Sequence, residues 1–467
     1  MSASFSTLSQ EMIQEFLGRL RGRVFKSSDA GYDDARRVQN GLIDRRPGLI
    51  VQCSGAADVI ASVQFARDHG LLLSVRGGGH NVAGNAVNDG GIVIDLSAMR
   101  GVHVDPRART ARVQGGATWG DLDRETQVFG LATPGGLVST TGVGGLTLHG
   151  GMGHLRRPYG LSIDNLLSVD IVTADGQLQT ASADQNQDLF WAVRGAGSNF
   201  GVVTSLEFRL HPVGPTVMLG ATLYRLEDGP SVLRQWRSFL SDLPEALTPI
   251  IVFWSVPEGF PPEIVGKPVV IVAGVYAGPA EEGEKAVAPM RSFAKPLLDI
   301  SEAMPFTAVQ AAFDPFFPKG LLQYWKSTYV EELSDALLDE LCELAAKRPS
   351  PKTTMDVWPM AGAATRVAPA DTAFGQRRPY MIAFESTWTE PRDNDANIAW
   401  ARDAYSSMKR FSSGGAYLNF PGFGEEKIDL ARAAYGENFG RLSRLKATYD
   451  PNNVFRMNIN IPPAQRG

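Results

Sequence analysis

The chain has 467 residues, of which 43% are apolar and 20% are charged, and its formal net charge is −5. This length exceeds one ordinary hydrophobic core, so we expect two domains. The 45 basic and 50 acidic residues form no basic stripe, which argues against a nucleic-acid partner. No run of 18 apolar residues predicts a membrane span, and residues 1–20 carry Glu11 and Glu15, unlike a signal peptide. We therefore expect a cytoplasmic protein without a membrane partner.

Cysteine and histidine usage excludes the common metal sites. Cys53 and Cys342 lie far apart, so they form no CxxC pair, and we expect two reduced thiols. All six histidines precede Pro212 and no acidic cluster joins them, so we predict no metal centre. His149 and His154 are expected to be surface or supporting side chains.

The first half of the chain has the pattern of an α/β nucleotide-binding domain. Residues 56–69 predict a helix that leads to a strand at residues 71–75, and β-branched runs predict strands at residues 91–95 and 169–172. Phe5, Leu8, Ile13 and Phe16 among residues 1–20 indicate a preceding amphipathic helix. A strand, a helix and a strand followed by a glycine run are typical of such a domain.

The second half differs, because strand-like runs alternate there with helices and six of the eight tryptophans occur there. Residues 269–273 and 380–384 predict strands, and residues 335–347 predict a helix. We expect an α+β domain with an antiparallel sheet. A helix over residues 427–446 and a turn at residues 450–453 follow.

Two glycine-rich runs indicate a bound cofactor. Gly77, Gly78 and Gly79 follow a strand and precede His80, and glycine permits positive φ and close backbone approach to a ligand. Successive N–H groups in such a turn suit a diphosphate. In residues 141–153, six of 13 positions are glycine, which suits neither a strand nor a helix interior. The GxGxxG spacing of nicotinamide-binding folds is missing from the first run.

These runs and three further stretches occur in the order found in one family. The chain resembles the berberine-bridge type of FAD-linked oxidase in the vanillyl-alcohol oxidase superfamily, and within it the bacterial 6-hydroxynicotine oxidases. The matching stretches are residues 76–80, 142–145, 159–165, 191–195 and 458–463. The resemblance implies an α+β, two-domain vanillyl-alcohol-oxidase-type fold. It implies an FAD-binding domain from residues 1–212 (core 46–212) and 413–467, and a substrate-binding domain from residues 213–412.

The resemblance also implies how FAD is held. His80 matches the histidine that carries the flavin covalently. Val138 stands where many relatives carry a second, cysteine linkage, so we expect attachment through His80 only. The remaining positions expected to bind FAD are Arg76, Gly77, Gly78, Gly79, Asn81, Gly136, Val138, Thr141, Gly142, Gly145, Tyr159, Asn165, Val203, Asn419, Asn458 and Asn460.

The residue that removes a proton differs from the family pattern. Relatives often have a tyrosine base where this chain has Phe420, which cannot accept a proton. The alternatives are Tyr324, Lys326, Glu385 and Tyr417, and strand alternation places Tyr324 and Lys326 on one face. A neutral amine would need no strong base.

The function implied by the resemblance is an oxidase. A small amine, alcohol or phenol would give a hydride to covalent FAD, and dioxygen would reoxidise the flavin with release of hydrogen peroxide. The modest size of Val143, near where relatives control oxygen access, favours this reading. The alternatives are a flavin dehydrogenase, an oxidative tailoring or cyclising enzyme, and a flavin-binding protein without catalysis.

Overall fold

The computed structural model describes residues 5–425 and 428–465. Within this part of the chain, the first half contains short strands, namely β1 (Arg23–Phe25), β2 (Leu49–Gln52), β3 (Leu73–Arg76), β4 (Ile92–Asp95), β5 (Val102–Asp105), β6 (Thr110–Gln114), β7 (Leu131–Ala132), β8 (Leu166–Val172), β9 (Leu178–Ser182), β10 (Val202–Arg209) and β11 (His211–Pro212). The second half contains β12 (Thr216–Arg225), β13 (Leu247–Ser255), β14 (Pro268–Tyr276), β15 (Leu298–Asp299), β16 (Glu302–Pro305), β17 (Leu322–Val330), β18 (Thr354–Pro359), β19 (Tyr380–Trp388) and β20 (Ser412–Gly414).

The helices lie between these strands and after them. The α-helices are α1 (Gln10–Gly18), α2 (Tyr32–Arg36), α3 (Ala56–Asp68), α4 (Trp119–Gln127), α5 (Val143–Thr147), α6 (Arg156–Tyr159), α7 (Gln187–Ala196), α8 (Gly229–Phe239), α9 (Ala280–Val287), α10 (Phe306–Ala311), α11 (Asp335–Ala346), α12 (Ala363–Arg366), α13 (Asn394–Ser407), α14 (Ile428–Tyr435) and α15 (Phe439–Tyr449). The 3-10 helices are Phe5–Thr7, Ser162–Asn165, Gly197–Asn199, Leu226–Asp228, Leu240–Asp242, Ala288–Arg291, Asp314–Phe316, Pro391–Asp393, Met408–Arg410 and Gly436–Asn438.

Two small sheets and the two-stranded pair of β7 and β11 form the first half. One has the order β1-β2-β4-β3, in which β2, β4 and β3 are parallel. Strands β2 and β4 are almost entirely apolar, as expected for strands of a parallel sheet that is buried on both faces. Side chains of α3 pack in the same buried cluster. The second sheet is antiparallel with the order β5-β6-β10-β8-β9. The first glycine-rich run follows β3 of the four-stranded sheet, and the second lies between β7 and β8.

A nine-stranded sheet dominates the second half, with the order β15-β12-β14-β13-β18-β19-β17-β20 and with β16 also paired to β12. Its pairs are antiparallel. Helices α8, α11 and α13 bury one face in an apolar core that includes Trp236, Leu338 and Trp400. The opposite face carries Trp254, Trp358 and Tyr329 and is directed toward the first half.

The predicted elements are confirmed with small shifts at their ends. The prediction of one continuous helix over residues 427–446 is wrong, because a 3-10 turn at Gly436–Asn438 divides this segment into α14 and α15. Gly436 has φ +52°, which no α-helix accommodates. Of the predicted range, Lys427 lies outside the described residues, as do residues 1–4 of the N-terminal segment. In the described ranges, no helix is both long enough and apolar enough to cross a membrane.

The C-terminal segment is fixed by a buried ion pair. Lys446 Nζ donates to Asp450 Oδ2 at 2.7 Å and to the carbonyls of Asn199 and Phe455. Asp450 in turn accepts the N–H groups of Val454 and Phe455. The ammonium group and both carboxylate oxygens of this buried pair therefore have partners. The pair ties Phe455 to Asn199, next to Ser198, whose carbonyl accepts from Asn458.

Candidate active site

One elongated cavity separates the glycine-rich loops from the open face of the nine-stranded sheet. Its empty volume is about 2050 Å³, including the part that opens to solvent. The glycine-rich side is lined by residues 77–81, by Gly136, Val138, Thr141, Gly142, Gly145 and Val203, and by Asn419 and Asn458 near the C-terminus. The sheet side is lined by Val252, Trp254, Gln323, Trp325, Thr354, Asp356, Trp358 and Glu385. Tyr417 and Phe420 also line the cavity.

The two glycine-rich runs meet backbone to backbone at Gly78 and Gly142. A Cβ on Gly78 would lie 2.4 Å from the nitrogen of Gly142, and a Cβ on Gly142 would lie 2.4 Å from the nitrogen of Gly78. Glycine is required here by close approach. Positive φ in the first run occurs at Gly79, at +73°. The contact leaves a wall of bare backbone along the cavity.

This wall presents unpaired hydrogen-bond donors. In the part of the chain that the structure describes, the backbone N–H groups of Gly78, Gly79 and His80 donate no hydrogen bond. Gly78 is exposed, but Gly79 is buried and His80 is half-buried, and N–H groups at such positions ordinarily have partners. Consecutive N–H groups at a chain bend form a concave anion site. The donor set therefore fits the diphosphate of a dinucleotide such as FAD.

His80 lies beside the second glycine-rich run. Its Nε2 is 3.1 Å from Thr140 Oγ1, and its Nδ1 is 3.4 Å from Thr141 Oγ1. Burial lowers the pKa of His80 to about 4, so the imidazole is neutral at pH 7. A neutral imidazole keeps a lone pair on one ring nitrogen, which is the form that attacks an electrophilic carbon.

Asn458 and His149 complete the glycine-rich side. Asn458 Nδ2 donates to the carbonyl of Ser198 at 2.8 Å, and its buried Oδ1 has no partner among the described residues. His149 was expected to be a surface or supporting side chain, yet it lines the cavity, with Nε2 2.9 Å from Ser198 Oγ. Burial lowers the pKa of His149, so this ring is also neutral.

Four residues predicted to bind FAD do not line the cavity. Arg76 forms a buried ion pair with Asp95, its neighbour across β3 and β4. Tyr159 stacks on His211 with ring centroids 4.0 Å apart, and Asn165 Oδ1 lies 2.6 Å from His211 Nε2. Asn460 also lies outside the lining set. The polar groups of Arg76, Tyr159 and Asn165 are occupied by protein partners, so these residues shape the surrounding loops.

The sheet side of the cavity follows from the two-residue period of its strands. On β18, Thr354, Asp356 and Trp358 point to the same face, as do Gln323 and Trp325 on β17. The register pairs Glu385 of β19 with Thr354 on one side and Trp325 on the other. Glu385 therefore lies in the middle of this wall, and its Oε2 accepts a hydrogen bond from Thr354 Oγ1 at 3.3 Å.

Burial governs the charge of the two carboxyl groups on this wall. Asp356 and Glu385 are 5% and 6% exposed. Burial raises the pKa of Glu385 to about 7. Burial and the neighbouring Glu385 raise the pKa of Asp356 well above its usual value. Glu385 is therefore poised to exchange a proton near neutral pH, whereas Asp356 favours its protonated form.

The prediction that Tyr324 and Lys326 share a face of β17 is confirmed, but that face points away from the cavity. Lys326 Nζ and Tyr324 Oη both contact the carboxylate of Glu425, and Lys326 also lies over the ring of Tyr405, 4.4 Å from its centroid. Their cavity-facing neighbours are Gln323 and Trp325. Tyr324 and Lys326 thus hold the loop after β20 through Glu425, on the face of β17 opposite the cavity.

Tyr417 and Phe420 form the end of the cavity near the C-terminal loop. Tyr417 Oη accepts the Met152 N–H at 3.2 Å and an Asn419 N–H at 2.9 Å. Burial raises the pKa of Tyr417 to about 12, so it remains a protonated phenol at pH 7 and is a poor base. Phe420 packs edge to face on Trp325, with ring centroids 5.2 Å apart. Val143 is fully buried in the core and does not line the cavity.

Asp356 is the site residue that the sequence did not single out. It occupies a strand of alternating residues, Thr354, Asp356 and Trp358, inside an otherwise apolar run. A charged residue at an inward position of a strand is unusual, and this feature of the sequence could have indicated Asp356 as a site residue. Which face of β18 is inward becomes clear only from the pairing of the sheet.

Comparison with known proteins gives the family. A model described as "FAD binding domain" matches residues 47–182, and one described as "Berberine and berberine like" matches residues 416–462. The chain is 31% identical to the FAD-linked oxidoreductase YgaK of Bacillus subtilis, over 96% of this chain and 98% of that protein. It belongs to the berberine-bridge family of FAD-linked oxidoreductases.

Two further comparisons agree with this assignment. The chain is 32% identical to (R)-6-hydroxynicotine oxidase of Paenarthrobacter nicotinovorans, over 95% of this chain and 97% of that one. The crystal structure of 6-hydroxy-D-nicotine oxidase from Arthrobacter nicotinovorans superposes with a TM-score of 0.86 at 30% identity, covering 95% and 98% of the two chains. The expected α+β, two-domain fold, the FAD cofactor and the oxidoreductase class are therefore confirmed for this berberine-bridge family member.

The Gly78–Gly142 contact makes a prediction for cofactor loading. We expect Gly78→Ala and Gly142→Ala to lower the FAD content of the purified protein at least about tenfold. A Cβ at either position meets backbone atoms at 2.4 Å, and those atoms have no rotamer with which to yield. The FAD content is measured from the ratio of flavin to protein absorbance. Gly55→Ala is the matched control, since a Cβ there meets nothing within 4 Å. Wild-type FAD content in both cavity variants would contradict the prediction.

Proposed function

We propose that this protein is an FAD-dependent oxidase that takes a hydride from a small organic substrate and passes the electrons to dioxygen, giving hydrogen peroxide. The observation that carries the proposal is the cavity that joins a backbone wall of unpaired N–H donors and His80 to a wall of buried carboxyl and aromatic groups. One cavity with both properties brings cofactor and substrate together. We further propose residues 1–212 and 413–467 as the FAD-binding domain and residues 213–412 as the substrate-binding domain.

The cofactor is attached through His80 alone. Its neutral imidazole and its position on the cavity wall support this attachment. Val138 lines the cavity where a second linkage would need a cysteine, and neither Cys53 nor Cys342 is among the lining residues. Burial also raises the pKa of both thiols, which keeps them from acting as nucleophiles at neutral pH.

The protein groups in the reaction bind, orient and deprotonate the substrate. FAD supplies the hydride acceptor and the path of electrons to dioxygen. Glu385, in the middle of the sheet wall with a pKa of about 7, holds or accepts the substrate proton. Trp254, Trp325 and Trp358 orient an apolar substrate body and exclude water. The same groups would serve a flavin dehydrogenase, so release of peroxide is the property that distinguishes an oxidase.

Attachment of the flavin has a direct test. We expect acid precipitation of the wild-type protein to leave the flavin in the pellet, because a histidyl–carbon bond survives unfolding. His80→Ala should retain the fold and release its flavin to the supernatant. His103→Ala, at an exposed position of β5, is the matched control and should behave as wild type. Recovery of all wild-type flavin in the supernatant would contradict covalent attachment.

One set of assays tests both the release of peroxide during turnover and the role of Glu385 as the general base. In a screen of amines, alcohols and phenols, we expect a substrate that gives one peroxide for each molecule oxidised. With it, Glu385→Gln should lower kcat/KM by about 10²–10⁴-fold through loss of proton transfer. Lys326→Met should change kcat/KM less than about threefold at equal flavin content, because Lys326 faces away from the cavity. The reverse order of effects would refute this assignment. Flavin reduction without peroxide would favour a dehydrogenase.

A further inference from the structure

A histidine and a serine form a hydrogen-bonded pair on the glycine-rich side of the cavity. His149 Nε2 lies 2.9 Å from Ser198 Oγ, and its Nδ1 lies 3.2 Å from the carbonyl oxygen of Gly145. A carbonyl oxygen can only accept, so Nδ1 carries the hydrogen of the neutral ring. Nε2 therefore holds the lone pair and accepts the hydroxyl hydrogen of Ser198. The oxygen of Ser198 is left with acceptor capacity alone toward a ligand in the cavity.

The turn that carries Ser198 is held on both sides. The N–H of Gly197 donates to the carbonyl of Leu148 at 3.3 Å, and a Cβ on Gly197 would lie 2.4 Å from the side chain of Leu148. On the other side, the carbonyl of Asn199 accepts from Lys446 Nζ at 2.6 Å. With both of its neighbours fixed, Ser198 is preorganised before a ligand binds.

A second acceptor lies beside Ser198. Asn458 is 9% exposed, and its Nδ2 donates to the carbonyl of Ser198 at 2.8 Å and to that of Phe455 at 3.2 Å. Both amide hydrogens are thus engaged, and the buried Oδ1 has no partner among the described residues. His149, Ser198 and Asn458 all line the cavity. A buried oxygen without a donor costs free energy, so we expect its donor to arrive with a ligand.

Two sections of the cavity wall therefore differ in their hydrogen-bonding character. The N–H groups of residues 78–80 are donors and suit phosphate oxygens. Ser198 Oγ and Asn458 Oδ1 are acceptors, which phosphate oxygens cannot satisfy because they are acceptors themselves. The N–H groups of FAD lie on its heterocycles, at N3 of the flavin and at the amino group of adenine. The acceptor section thus suits a heterocycle of FAD.

We propose that His149 is a positioning residue that fixes the Ser198 hydroxyl as an acceptor for an N–H group of FAD, either the flavin N3–H or the amino group of adenine. Asn458 Oδ1 adds a second acceptor beside it. His149 acts through Ser198 by engaging the hydroxyl hydrogen, which would otherwise compete with the N–H of the ligand. The inference needs FAD but neither a substrate nor dioxygen, and it therefore goes beyond the proposed oxidase.

The inference is tested by the affinity for FAD and not by activity. The protein is the His80→Ala variant, whose flavin is expected to be free of covalent attachment, and the flavin is removed before titration. Calorimetric titrations use FAD, 3-methyl-FAD, which lacks the N3–H, and the analogue with hypoxanthine in place of adenine, which lacks the amino group. We expect FAD to bind at least about tenfold more tightly than one of the two analogues, because that analogue leaves a buried acceptor unpaired.

Removal of either member of the pair should weaken only the ligand that carries the recognised N–H. Ser198→Ala and His149→Phe, each added to His80→Ala, should weaken FAD binding at least about threefold and leave the discriminated analogue within about twofold. The double variant should resemble Ser198→Ala, because His149 acts through Ser198. The matched control is His103→Phe, at an exposed position of β5, which should keep both the affinity and the discrimination.

Two results would overturn the inference. One is equal affinity of the His80→Ala protein for FAD and both analogues. The other is an equal loss of affinity for all three ligands in Ser198→Ala and His149→Phe, which is the pattern of a general structural defect. The proposed oxidase is judged by a different measurement, peroxide release from the reduced wild-type protein, so either proposal can fail alone. If the wild-type flavin is not covalent, the same titrations are made in the wild-type background.

Discussion

The contact between the backbones of Gly78 and Gly142 is the constraint on which the cavity depends. The two loops belong to different sheets of the first half, and any side chain at this point would force them apart by the width of a methyl group or more. Their approach turns the N–H groups of Gly78, Gly79 and His80 into one wall. Lys446 and Asn458 both donate to the carbonyl of Phe455, which links the Lys446–Asp450 pair to the Asn458 side of the cavity. The phosphate groups of a charged cofactor would accept hydrogen bonds from these N–H groups, which otherwise have no protein acceptor.

The nine-stranded sheet supplies the opposite wall of the cavity, and its two faces carry different sets of residues. Alternation along β17 sends Gln323 and Trp325 into the cavity and Tyr324 and Lys326 toward α13. The same period on β18 brings Asp356 beside Glu385. Because burial keeps both acids from full ionisation, this wall presents a proton-exchanging carboxyl group to the cavity. Under the proposed function, the substrate contacts this face of the sheet.

Local features of the sequence predicted more of the cofactor side than of the substrate side. Glycine runs and the position of His80 are local signals, and 13 of the 17 predicted FAD contacts line the cavity. Arg76, Tyr159 and Asn165 lie outside the cavity lining, because their side chains contact Asp95 and His211 instead. Lys326 lies on the opposite face of β17, because alternation fixes which residues share a face but not which face is inward. Asp356 was missed for the same reason, since burial of a strand face depends on long-range packing.

We propose that one cavity places FAD between His80 and the Asp356–Glu385 wall. The crystal structure of the purified, yellow protein tests this most directly. We predict continuous electron density from the ring of His80 to the flavin, with the diphosphate against residues 78–80 and the free face of the flavin toward Asp356 and Glu385. Flavin density that is separate from His80, or whose reactive face is turned away from these two acids, would contradict it.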